Sequence, residues 1–151
     1  MILIAHRGNL SGPSERENEP AYLQEAMDLG FDVEADVWVK EGCYYAGHEA
    51  PQHTVSKDFL SQKNVWCHAK NIHALCALRS DGIRCFWHQK DDFTLTSDGR
   101  IWTFPGKHLA PDAICVMPES APGSYSLEAL SRCYAICTDY VFRYQSMFKE
   151  A

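Results

Sequence analysis

A chain of 151 residues and 17.1 kDa has the size of one domain around one core, which argues against two full domains. Hydrophobic residues make up 46% and charged residues 23%, enough apolar material for a packed interior and too much for a disordered chain. The formal charge of -6 disfavours general binding to nucleic acid or to anionic membranes, and leaves room for a small phosphate-bearing ligand held by local cations or a metal.

Met1 to His6 is an apolar run with a polar stop at His6-Arg7-Gly8, a buried strand feeding a loop. Ser11 to Pro20 is polar and reads as a loop that ends with Pro20 in the first turn of a helix, Ala21 to Leu29, with Gly30 as its C-cap. In Phe31 to Val39, strict alternation puts Phe31, Val33, Ala35, Val37 and Val39 on one side and Glu34 with Asp36 on the other. Cys43 to His48 and Val65 to Lys70 are further strands, and Ile72 to Leu78 is a short helix closed by Asp81-Gly82. Ile83 to Trp87 is a strand, and Phe93 to Thr96 with Ile101 to Phe104 forms a hairpin about Asp98-Gly99. Ala113 to Met117 and Ala135 to Thr138 are strands, Leu127 to Cys133 is a short helix, and the tail from Tyr140 is an amphipathic helix.

The seven cysteines (43, 67, 76, 85, 115, 133 and 137) lie mostly in apolar runs and read as buried thiols. They form no CxxC pair or zinc-ribbon spacing, and no basic-then-apolar leader is visible, so the expected compartment is the reducing cytoplasm. No apolar stretch reaches the roughly 20 residues of a membrane-spanning helix.

Strands alternating with helices imply an α/β fold with a largely parallel sheet. His6, Glu34/Asp36, His48, His68/Lys70, His88/Gln89, Glu119 and Asp139 fall toward the carboxyl ends of these strands, which in a parallel barrel converge on the active-site face. Glu34 and Asp36 put two carboxylates on one surface. Either a divalent cation with oxygen ligands, Mg²⁺ or Ca²⁺, lies between them, or they form a solvated strand face beside a Lys or Arg.

Ile4-Ala5-His6-Arg7-Gly8, Glu17-Asn18, Gly30 to Val37 with its Glu34-Ala35-Asp36, and Gly47-His48-Glu49 together resemble the glycerophosphodiester phosphodiesterase family over roughly the first third of the chain. Cys67-His68-Ala69-Lys70 is similar to that family's Glu-x-Lys strand, and Ile136 to Asp139 to its last strand. The resemblance implies a TIM barrel and metal-dependent hydrolysis of a small phosphodiester. It implies His6 and His48 as the acid/base pair, Glu34 and Asp36 as ligands of Mg²⁺ or Ca²⁺, Lys70 as a phosphate contact, Arg7 as a contact of the phosphate or of the nearby carboxylates, and Glu17 as a brace for the His-Arg-Gly loop.

Two departures from the family pattern bear on this. His68 stands where the family has a third acidic ligand, which shifts the expected metal toward Mn²⁺ or Zn²⁺ and leaves Glu119 as a candidate replacement carboxylate. His68 is otherwise a phosphate contact or a packed strand histidine. The other departure is length: a full barrel takes about 250 residues, and about 200 at the least. The expected fold is therefore a shortened, single-domain barrel lacking one or two βα units, its open edge covered by the hairpin or by a second subunit.

Among the aromatic residues, Trp87 is expected to wall the pocket, Trp102 to act as a lid or substrate platform, and Trp66 to pack in the core. The same residues are compatible with a catalytically weak phosphate- or metal-binding protein, and with a lyase or phospholipase that forms a cyclic phosphate.

Overall fold

The computed structural model describes residues 1–150, in the order β1 (Ile2–His6), α1 (Pro20–Asp28), β2 (Asp32–Lys40), β3 (Cys43–Ala46), β4 (His53–Thr54), α2 (Lys57–Leu60), β5 (Val65–Ala69), α3 (Ile72–Ser80), β6 (Cys85–Phe86), β7 (Phe93–Leu95), β8 (Ile101–Thr103), β9 (Ile114–Val116), α4 (Leu127–Ser131), β10 (Ala135–Thr138) and α5 (Val141–Lys149). Pro20 opens α1, where its missing N–H costs nothing. Gly30, at φ +88°, closes the helix just past Leu29: its N–H bonds the Met27 carbonyl, and the Phe31 N–H reaches back to Ala26. Ser56, Asn71 and Ser126 cap α2, α3 and α4 with their side-chain oxygens.

Seven strands run parallel in the order β6-β5-β2-β1-β10-β9-β8, and β7 pairs antiparallel with β8. β3 pairs antiparallel with the far end of β2, and β4 antiparallel with β3. The sheet is curled, because side chains from its two ends meet: Trp66 of β5 and Trp102 of β8 lie 6.2 Å apart, and Phe86 of β6 stacks on Trp102 at 4.2 Å. Ile4, Ile114, Val116, Ala135 and Cys137 complete this inner cluster. On the outer face α1, α2, α3 and α5 bury Leu23, Ala26, Leu60, Leu78 and Val141 against Ala5, Val33, Ala35, Val37 and Val65. Each such Leu or Val side chain contributes about 1.5–3 kcal/mol by leaving water.

The barrel expectation is met in part. The molecule is mixed α/β with five helices, but among the described residues no ladder joins β6 to β7. The seam is crossed by single bonds: Ser97 N–H to the Cys85 carbonyl at 2.7 Å, Cys85 N–H to Ser97 Oγ at 3.0 Å, and Thr94 hydroxyl to the Trp87 carbonyl at 2.8 Å. The hairpin thus lies along the open edge. The β4 and α2 segments were not expected, being too short to show periodicity. Cys43 and Cys76 are exposed, correcting their reading as buried thiols, whereas Cys67, Cys85, Cys115, Cys133 and Cys137 are buried. No helix of the described residues is long and apolar enough to cross a membrane.

Candidate functional site

The period of two in β2 sends Val33, Ala35 and Val37 to the helices, so Glu34 and Asp36 face the inside of the curl, where both are almost fully buried. In register beside them, His6 pairs with Glu34 across β1, and His68 pairs with Asp36 across β5. His6, Glu34 and His68 line a cavity of about 830 Å³ together with Arg7, Glu17, His48, Lys70, His88 and Asp139, and Asp36 lies buried behind them. Of the strand-end groups expected to converge, His6, Glu34, His48, His68, Lys70, His88, Gln89 and Asp139 line this cavity and Glu119 does not.

Glu34, Asp36 and His68 each offer a ligand atom within 4.8 Å of the others. Asp36 is held from several sides: Arg7 Nε stands 2.9 Å from Oδ2, Asn18 Nδ2 donates to Oδ2 at 3.0 Å, and Lys70 Nζ is 3.7 Å from Oδ1. The Asp36 N–H in turn donates to Asn18 Oδ1 at 2.9 Å. Burial opposes ionisation of Asp36, but His68 and Arg7 outweigh it and hold the carboxyl well below the usual range. Glu34 goes the other way, pushed up by burial and by the charge on Asp36.

His68 Nε2 lies 2.9 Å from the His88 carbonyl, which can only accept, so that nitrogen carries a proton. In neutral His68 the Nδ1 lone pair then faces Asp36 Oδ1 at 3.1 Å and Glu34 Oε1 at 3.7 Å. With no proton on Nδ1, its lone pair and those of buried Asp36 Oδ1 and Glu34 Oε1 converge and repel one another; a proton on Nδ1, the state in which His68 lowers Asp36, or a cation relieves this. The group therefore fits a metal ion, and the carbonyl behind the imidazole is the kind of support that fixes a ligating histidine's tautomer.

His6 is gripped from behind by Asp139, Nδ1 to Oδ1 at 2.7 Å, with its Nε2 at 3.9 Å from Glu34 Oε2. Burial lowers the His6 pKa, yet the bond to Asp139 and the charge on Glu34 outweigh it, and the net shift is upward. Asp139 is lowered: burial works against its charge, and the bonds from His6 and Asn9 prevail. Asn9 Nδ2 donates at 2.8 Å to both Asp139 Oδ1 and Glu17 Oε1, while Arg7 NH1 donates to Glu17 Oε2 at 3.1 Å, so Glu17 braces the loop after β1. His48 sits at the rim, 40% exposed, with Nδ1 2.5 Å from Glu49 Oε1. Burial and the nearby Arg7 lower its pKa.

Two expected residues are elsewhere. Glu119 does not join the ligand group: its Oε1 accepts from the Thr138 hydroxyl at 2.8 Å and the Asp139 N–H at 2.9 Å, and it borders a separate cavity beside Tyr144 and Met147. Trp87 packs outward on the helix side, because alternation from β6 turns Phe86 and His88 inward and Trp87 away. Trp102 is 4% exposed and forms cavity floor, not a lid, and Trp66 is fully buried as expected. Reading the sequence missed Asn9, Asn18 and the His6 grip of Asp139. Asn18 followed Glu17 in the recognised stretch, and Asp139 ended a strand, but only the fold shows their partners.

No protein-family model, no curated protein and no solved structure matches the chain.

Proposed function

We propose that this chain is a metal-dependent phosphodiesterase of the glycerophosphodiester type, built on a shortened relative of the (β/α) barrel and working on a small phosphodiester in the cytoplasm. The observation that carries the reading is one cavity that joins a Glu34/Asp36/His68 ligand group, two cations at Arg7 and Lys70, and a histidine oriented by a carboxylate, His6 on Asp139. A phosphodiester needs these three things together: neutralisation of its anionic oxygens, orientation, and proton transfer.

Glu34, Asp36 and His68 would hold a divalent ion, which when bound supplies positive charge to the phosphoryl oxygens. Arg7 and Lys70 add to that charge and orient the substrate. The two histidines divide the proton work, and their opposite pKa shifts suggest how. His48, lowered, stays neutral and takes the proton of the attacking water. His6, raised, gives its proton to the departing alkoxide as the bond from phosphorus to that oxygen breaks. The products are a phosphomonoester and an alcohol, and the proton taken by His48 returns to His6 through solvent.

The test is hydrolysis of bis(p-nitrophenyl) phosphate and a panel of glycerophosphodiesters by metal-stripped protein, with Mg²⁺, Ca²⁺, Mn²⁺ or Zn²⁺ added back. Turnover restored by metal and cut by two or more orders of magnitude in His6→Ala and Glu34→Ala supports the proposal. Metal and phosphate binding without turnover would reassign the chain as a binding protein, and a cyclic phosphate as end product would make it a lyase.

A further inference from the structure

The ligand group and the cations use one side of the cavity, and the other side is of different character. From His68 a line of rings leads toward the mouth: His88 lies 6.3 Å from His68, and Phe104 4.8 Å beyond, with Phe86 and Trp102 beneath. Phe104 is 39% exposed, so its ring is open to a ligand, while Phe86 and Trp102 are buried floor. The side chain of His88 is only 10% exposed, and both of its ring nitrogens are buried without a hydrogen bond. Asp91 on the loop stands 3.5 Å from Nδ1 without forming a hydrogen bond to it.

A buried imidazole without hydrogen-bond partners is costly, because each nitrogen has given up water and gained nothing in its place. It sits in the cavity wall one ring beyond the place the phosphoryl group would occupy. We infer that His88 and Phe104 form the subsite for one alcohol of the phosphodiester, and that this alcohol is a ring bearing hydroxyl groups, a sugar or cyclitol. The inference rests on the phosphodiester reading above and names its substrate class. A neutral imidazole has one donor and one acceptor, and a hydroxyl can answer either. The apolar face of the ring packs on Phe104. An acyl chain or a bare hydrocarbon ring would cover His88 without satisfying it, and a site of that kind rejects analogues lacking the hydroxyl.

The experiment is calorimetric titration of the full chain, with Mn²⁺ present, by glucose 1-phosphate, cyclohexyl phosphate, p-nitrophenyl phosphate and inorganic phosphate. Glucose 1-phosphate is expected to bind about tenfold tighter than cyclohexyl phosphate. His88→Ala should bring the two to parity. Phe104→Ala, at an exposed position that folding tolerates, should weaken all three ring phosphates and leave inorganic phosphate unchanged. Equal affinities in the wild type, tightest binding of p-nitrophenyl phosphate, no binding at all, or a preference indifferent to His88→Ala overturns the inference. Turnover of bis(p-nitrophenyl) phosphate, measured on the same samples, separates the two proposals. Turnover without the sugar preference removes the subsite alone, and the preference without turnover removes the hydrolase alone.

Discussion

His68 and His88 are joined by a bond from a ring nitrogen to a backbone carbonyl, 2.9 Å long, and that bond decides which nitrogen His68 presents to Asp36. The imidazole is also stacked flat on Phe86, 4.9 Å between centroids at 9°, which leaves it little freedom to turn over. With Nε2 committed to the carbonyl, Nδ1 is the nitrogen left to ligate a metal, and the group that could hold one combines an imidazole nitrogen with two carboxylates.

Such a donor set favours Mn²⁺ or Zn²⁺ over Mg²⁺ or Ca²⁺, because imidazole suits the borderline metals and carboxylates alone suit the hard ones. The expected outcome for wild type is tighter calorimetric binding of Zn²⁺ and Mn²⁺ than of Mg²⁺ by at least tenfold. His68→Glu should reverse the preference, and ¹⁴N coupling to bound Mn²⁺ should vanish with it. Wild-type protein that prefers Mg²⁺ would show that Nδ1 is not a ligand.

The His6–Asp139 pair predicts a pH window in the stability of metal-stripped protein. Asp139 is lowered in the folded state, so its contribution is present above the unfolded value of about 3.9 and is lost as pH falls through the folded one. His6 is raised, so its contribution is present below about 6.5 and is lost as pH rises through its folded value. Both hold between about pH 4 and 6.5. The melting temperature of Asp139→Asn should therefore fall furthest below wild type in that window, with the gap narrowing at pH 8 and pH 3. A gap that stays constant across the range would mean that the pair does not titrate as a unit.

How much of this was readable beforehand depends on distance along the chain. The Glu34/Asp36 face follows from alternation within one strand, whereas the places of Arg7 and Glu17 beside His6 came only with the family resemblance. Asp139 reaches His6 across 133 positions, and Asn18 reaches Asp36 across 18, and only the neighbouring of β10, β1 and β2 brings them together. Trp87 went astray because β6 has two residues, too few for its alternation to be read with certainty against a following polar pair. Glu119 went astray for another reason. It stands near the end of β9 like the other candidates, but the Met117 backbone at φ +43° turns the chain and carries the carboxylate to the outside of the site.

Gly47 sets the position of His48, the least buried of the candidate acid/base groups. A Cβ at Gly47 would stand 2.1 Å from the Ala50 carbonyl oxygen, with Gln52 also in the way, so no other residue fits that backbone. Its N–H donates to the Asp36 carbonyl at 3.0 Å and its carbonyl accepts from Trp38 Nε1 at 2.6 Å, which ties the loop to β2. Gly47→Ala should shift this loop and cut kcat nearly as far as His48→Ala does. The strain at this one position sets the expected loss of stability at about 1–3 kcal/mol. A denaturant melt beside the kinetic assay checks both halves, and activity within twofold of wild type would show that His48 is not positioned by this turn.

Glu119 meets the site at Asp139 and lies outside the Glu34/Asp36/His68 group. Its Oε1 is the acceptor for the Asp139 N–H and for the Thr138 hydroxyl, the two groups that end β10. Glu119→Ala leaves a half-buried backbone donor without a partner, at a cost of about 1–3 kcal/mol, and frees the residue that orients His6. Glu119→Gln keeps the accepting oxygen and should be close to wild type in both stability and turnover. Metal affinity should be unchanged in either variant, which separates this role from that of a ligand. Were Glu119 the missing third carboxylate, Glu119→Gln would weaken Mn²⁺ binding by more than tenfold, and calorimetry on that single variant distinguishes the two.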